Sequence, residues 1–235
     1  MKLHSNAHAE ARFGRVLAAA ACGLCCVPAF GDDWTNSGGN AGRNGRTAEL
    51  GPDDRDVLWT GGRSSIISWL PVIEGRRLFI VRQTGFPPEP NSDASPVVAY
   101  DLDTGAELWH YDIPFETGDW TTWIAGAKNG RVFAARSGNG ASVSARLYAL
   151  DAATGGFLWT SDVEIDAGAY DGVVFAEDGD PIIASFRKIW RIDAETGDTV
   201  WMADRLCSVS GNCGGAVHDG AVYVVDAVVG GHAIR

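Results

Sequence analysis

One short pattern recurs three times in this chain and limits what it can fold into. Asp101, Asp151 and Asp193 each begin an Asp-x-x-Thr-Gly turn, through Thr104-Gly105, Thr154-Gly155 and Thr196-Gly197. Each turn leads, four residues after its Gly, to Trp109, Trp159 or Trp201. Asp56-Val57-Leu58-Trp59 preserves only the last strand of a fourth copy. Self-similarity at about 40–50 residues marks propellers and solenoids.

The chemistry of each copy is local. Apolar residues alternate before the turn, as at Tyr148 and Leu150, which predicts a half-buried strand. The Asp and Thr side chains can bond turn amides, and Gly accepts a positive φ. A second strand then ends on a large flat Trp suited to packing between sheets. Upstream of each hairpin stands another turn and strand: Glu74-Gly75, Asn129-Gly130 and Asp178-Gly179, with Asp219-Gly220 starting the pattern again. Two hairpins per unit make a four-stranded blade. The sequence therefore predicts an all-β chain with blades near 64–109, 120–159 and 169–201 and a further partial blade at 214–235.

The Ala-x-Asp-x-x-Thr-Gly-x-x-x-Trp unit resembles the repeat of PQQ-like, quinoprotein-type β-propellers. The segment from Asp33-Trp34 to Gly45 is similar to the entry segment of that superfamily. Family propellers have seven or eight blades, so about four blades imply a partial ring. The first reading is a fragment. The other is a four-bladed ring whose last blade is completed by the Asp56–Thr60 strand.

Residues 1–31 read as a leader. Lys2, Arg12 and Arg15 outweigh Glu10, Val16–Phe30 is apolar, and Ala29 and Gly31 are small residues at a cleavage site. That apolar run is shorter than the roughly 20 residues a membrane span needs. Lipid attachment at Cys22, Cys25 or Cys26 is the alternative. The implied organisation is a signal peptide at 1–31, an entry segment with a partial blade strand at 32–63, and repeats from 64 to 235, with no transmembrane segment after the leader. The expected compartment is the bacterial periplasm or the exterior. Outside the leader only Cys207 and Cys213 remain, framing a Gly-containing loop; an oxidising compartment favours a disulfide over free thiols. The chain carries −11 formal charge, and about −13 once Lys2, Arg12, Arg15 and Glu10 leave with the leader. That field repels phosphate backbones, so nucleic acid is not an expected partner.

Resemblance to quinoproteins implies a planar PQQ cofactor with Ca²⁺ near the propeller axis. Trp120 and Trp123, where one blade hands over to the next, are candidates to face it, against the plainer reading that both pack between blades. The adjacent cysteines that cap PQQ in alcohol dehydrogenases are absent after the leader, as is a Cys-x-x-Cys-His haem motif. Paired acids at Asp53-Asp54, Asp101/Asp103 and Asp178/Asp180 are accounted for by turn chemistry, and His110, His218 and His232 stand isolated. The segment 83–96 is a Pro-rich insertion in the first blade and a candidate for partner recognition. The leading expectation is an exported, non-catalytic binding or scaffold module with a protein partner. The alternatives are a fragment of a PQQ-dependent dehydrogenase and a propeller lipoprotein of outer-membrane assembly.

Overall fold

The computed structural model describes residues 32–51, 53–61, 70–84, 96–116, 118–138, 144–166, 173–206, 214–228 and 231–234. The leader, most of the 83–96 insertion, and Cys207 with Cys213 lie outside the described residues.

Three four-stranded antiparallel meanders follow one another. Blade 1 comprises β1 (Val72–Glu74), β2 (Arg77–Val81), β3 (Val97–Asp101) and β4 (Glu107–Tyr111). Blade 2 comprises β5 (Asp119–Lys128), β6 (Arg131–Gly138), β7 (Ala145–Asp151) and β8 (Phe157–Ile165). Blade 3 comprises β9 (Val174–Phe175), β10 (Pro181–Ala184), β11 (Lys188–Ile192) and β12 (Thr199–Asp204). Two hairpins begin a fourth blade: β13 (Ala216–His218) with β14 (Ala221–Tyr223), and β15 (Val225–Val228) with β16 (Gly231–Ile234). No helix occurs among the described residues.

Period-two alternation divides each sheet between two cores. On β6, Phe133 and Ala135 face blade 3 with Trp159, Phe175, Ile183 and Trp190. Val132 and Ala134 face blade 1 with Phe79, Val81, Val97 and Trp109. A blade with both faces buried between neighbours produces the near-continuous apolar runs seen in β3 and β10.

The repeated turns lock one blade to the next. In the first two, the Asp carboxylate accepts the amide and hydroxyl of Thr, each at 2.8 Å, for Asp101 with Thr104 and Asp151 with Thr154. The third differs: Asp193 accepts the Thr196 amide at 2.8 Å, while the Thr196 hydroxyl donates to Asp198. Those bonds favour ionised carboxylates and hold Asp101, Asp151 and Asp193 below the ordinary range. Each turn's Gly receives the preceding blade's Trp. A Cβ on Gly155 would lie 2.6 Å from the Trp109 ring, and one on Gly197 2.6 Å from that of Trp159. The indole N–H groups then donate to turn carbonyls, Trp109 to Ala152 and Trp159 to Ala194, each at 3.1 Å.

Residues 56–60, read above as a blade strand, pair with no strand among the described residues. Trp59 nevertheless docks like the others, its ring against Gly105 and its indole donating to Leu102 O at 2.9 Å. The segment has a docking site without a third strand to pair with, so it stays irregular. The entry segment bonds the first strands of blades 1 and 2 and of the fourth blade. Trp34 and Ile73 exchange backbone bonds of 2.9 and 2.8 Å, Ala127 N donates to Thr35 O at 2.8 Å, and Val217 N donates to Ala41 O at 2.9 Å.

Candidate functional site

In an antiparallel meander the first and third connections emerge on one rim, and the second connection and the blade-to-blade linker on the other. The first rim carries tight turns at 75–76, 102–106, 129–130, 152–156, 193–198 and 219–220. At the opposite rim lie the strand ends that the longer connections join, Val81 with Val97, Tyr111 with Asp119, Ile165 with Val174 and Asp204 with Ala216, together with the short connection at 185–187. Long connections anchored at fixed strand ends are the usual disposition of a binding face.

Beneath that rim the floor is polar and buried. Arg82, Gln83, Asp119, Thr121, Thr122, Arg136 and Ser137 are all buried at this end of blades 1 and 2. Gln83 accepts the Thr121 hydroxyl at 2.8 Å and donates to Trp120 O at 3.2 Å, joining the two blades. Arg136 donates to Asp119 at 2.7 Å and pairs with Glu116 at 3.0 Å. Arg82 donates to Glu107 at 2.5 Å and to the Tyr100 hydroxyl at 3.3 Å. Burial alone would lower the Arg82 pKa, but these bonds outweigh it and hold the guanidinium above its ordinary value. Burial likewise opposes ionisation of Glu107, and Arg82 and His110 overcome it, keeping that carboxylate below its usual range.

Further round the rim, Arg205 donates to Ser185 O at 2.6 Å and to Val225 O, tying blade 3 to the fourth blade. Asp226 accepts the Leu206 amide at 3.1 Å.

Trp120 and Trp123 both lie on β5, the first strand of blade 2, but in different surroundings. Trp123 is buried in the core between blades 2 and 3, its indole N–H without a hydrogen-bond partner. Trp120 is exposed at the rim beside Asp119. His110 bonds Glu107, the partner of Arg82, at 3.0 Å from the exposed side, and His218 lies 3.5 Å from the Asp219 carboxylate on the turn rim. Asp178 and Asp180 together hold Arg191 on the turn rim. No cluster of three or more His, Cys, Asp or Glu able to hold a metal occurs among the described residues.

The sequence reading overlooked the buried arginines, although a signal for them exists. Arg82 and Arg136 each stand three residues after an aromatic, Phe79 or Phe133, at the end of an apolar run, and Asp226 stands likewise after Tyr223. A charge at one register of a repeated apolar strand marks where the blade meets its rim.

This arrangement defines the class: an arc of a β-propeller whose blades are joined by tryptophans docked on glycine turns. The chain belongs to the PQQ-like repeat family described as outer membrane protein assembly factor BamB, whose model matches residues 93–234, more than half of the chain. Solved structures with similar folds include a europium-containing methanol dehydrogenase, 12% identical with a TM-score of 0.48 over 66% of this chain and 37% of that one. The quinohemoprotein alcohol dehydrogenase ADHIIG from Pseudomonas putida HK5 is 11% identical, TM-score 0.45, over 83% of this chain and 45% of that one. BamB from Moraxella catarrhalis is 15% identical, TM-score 0.44, over 64% and 43%. The chain thus spans less than half the length of each of these proteins. No curated protein matches it.

Proposed function

We propose that this chain is an exported propeller module that binds a protein partner through its long-connection rim, without catalysis of its own. The observation that carries the reading is the segregation of connections. The strand ends joined by the longer connections, the Pro-rich 83–96 insertion among them, all lie at one rim beside a fixed polar floor, with the short 185–187 connection between them. Membership of a family described as an outer membrane assembly factor supports a protein partner at the periplasmic face of the outer membrane. Export follows from the leader at 1–31, with lipid attachment at Cys22, Cys25 or Cys26 as the alternative to cleavage after Gly31. The test is cross-linking in periplasm with the native chain and with residues 85–95 replaced by a Gly/Ser linker. Loss of a specific cross-linked protein only in the loop variant supports the reading. A cross-linked partner that survives the replacement and is lost on changes at the turn rim refutes it.

One observation favours a quinoprotein reading as the second choice: Trp120 and the Asp119–Arg136 pair stand together on the first and second strands of blade 2. Titration with PQQ and Ca²⁺, followed by tryptophan fluorescence, separates the two. Saturable quenching lost in Trp120→Ala favours the cofactor, and a flat titration favours the binding module.

A further inference from the structure

The entry segment bonds blade 2 through Thr35 O and the fourth blade through Ala41 O, and makes no hydrogen bond to blade 3 among the described residues. Between those anchors Gly39 N donates to Asn36 O at 2.9 Å, so the chain turns there instead of running straight across. A cavity of about 330 Å³ lies at this place on the turn rim. Thr35 and Ala41 bound it on the entry side, Lys128 on blade 2, Phe175 and Glu177 on blade 3, and Asp219 with His218 on the fourth blade. A space of this order suits a small organic ligand.

The lining combines an apolar wall with charges of both signs. Phe175 is fixed by Phe133, 5.7 Å away between ring centroids. Lys128, at the end of β5, is half-buried and makes no hydrogen bond or ion pair among the described residues. Glu74 lies within its electrostatic reach, but both Glu74 oxygens accept the Gly130 amide, at 3.0 and 3.1 Å. Glu177, between β9 and β10, is exposed and is likewise unbonded among the described residues.

We infer that this cavity binds a small zwitterion of the α-amino-acid class, with its carboxylate on Lys128, its ammonium on Glu177 and Asp219, and an apolar side chain against Phe175. Charge complementarity carries the choice of ligand. A simple anion would meet Glu177 and Asp219 beside Lys128, in the field of a chain of −11 formal charge. A simple amine would leave the half-buried Lys128 ammonium unpaired. A zwitterion answers both signs, and the apolar wall adds burial of its side chain. The cavity lies on the rim opposite the proposed partner face, so the two readings stand or fall separately.

The experiment is calorimetric titration of the full chain with leucine, with 4-methylpentanoate, which lacks the ammonium, and with 3-methylbutylamine, which lacks the carboxylate. Leucine should saturate, and each analogue should bind at least about tenfold more weakly, the effect of losing one charge-assisted contact. Lys128→Met keeps the stem and removes the charge; it should weaken leucine by about tenfold or more and leave 3-methylbutylamine unchanged. Glu177→Gln, at an exposed turn residue, should weaken leucine and leave 4-methylpentanoate unchanged, and it decides the matter if Lys128→Met disturbs the fold. No saturable leucine binding up to millimolar concentration overturns the inference. So does 4-methylpentanoate binding as tightly as leucine, or leucine binding indifferent to both substitutions.

Discussion

Replacing Gly155 by alanine tests whether the tryptophan joint is a steric lock. Gly155 has φ +72°, and the new Cβ would lie 2.6 Å from two carbons of Trp109. Gly130 is a matched control, with φ +75° and nothing within 4 Å of its Cβ position. Both substitutions incur the left-handed backbone cost, about 1–2 kcal/mol, and both gain the same reduction in unfolded-state freedom. Only Gly155→Ala adds overpacking, about 1–3 kcal/mol, because Trp109 is held by its bond to Ala152 O and by Phe79, 5.8 Å away between ring centroids. Gly155→Ala should therefore be less stable than Gly130→Ala by about 1–3 kcal/mol, or about 2–4 °C of melting temperature for each kcal/mol. Urea unfolding followed by fluorescence and circular dichroism gives both values, and adding Trp109→Leu to Gly155→Ala should recover most of the excess. Equal midpoints for the two glycine variants, with unchanged slopes, would refute the lock.

Trp159→Phe keeps one aromatic ring but removes the fused five-membered ring and with it the donor to Ala194 O, and should cost at least about 1–3 kcal/mol in the same unfolding assay. Asp119→Ala strands the buried Arg136 and should cost about 3–5 kcal/mol, while Glu116→Ala, on the exposed side of the same arginine, should cost at most about 1 kcal/mol. Similar losses for those two would show that Asp119 is not the principal partner. The Asp151 carboxyl is held low by the Thr154 hydroxyl first and its amide second, so its stabilisation is complete above the unfolded pKa of about 3.9 and is lost as pH falls through the lower folded value. The melting-temperature gap between the native chain and Asp151→Asn should hold at neutral pH and narrow below about pH 4. A gap that widens with acid would contradict the sign.

The blades were legible in the sequence because everything that makes a blade hairpin is local. Asp151, Thr154 and Gly155 meet within five residues, and alternation along Arg146–Leu150 needs no distant partner to be read. The family resemblance rested on that same unit. Tertiary structure decided what each Trp touches: Trp109 and Ala152 are 43 residues apart, and Trp159 and Ala194 are 35 apart. No local pattern states that a ring will close on the next turn's glycine. The same holds for the polar floor, where Gln83 meets Thr121 across 38 residues and Arg136 meets Asp119 across 17. It holds also for 56–60, whose strand-like sequence stays irregular because pairing requires an edge, and an edge is supplied by a neighbour. Turn chemistry and alternation act over a few residues; burial, docking and pairing depend on what the rest of the arc places alongside.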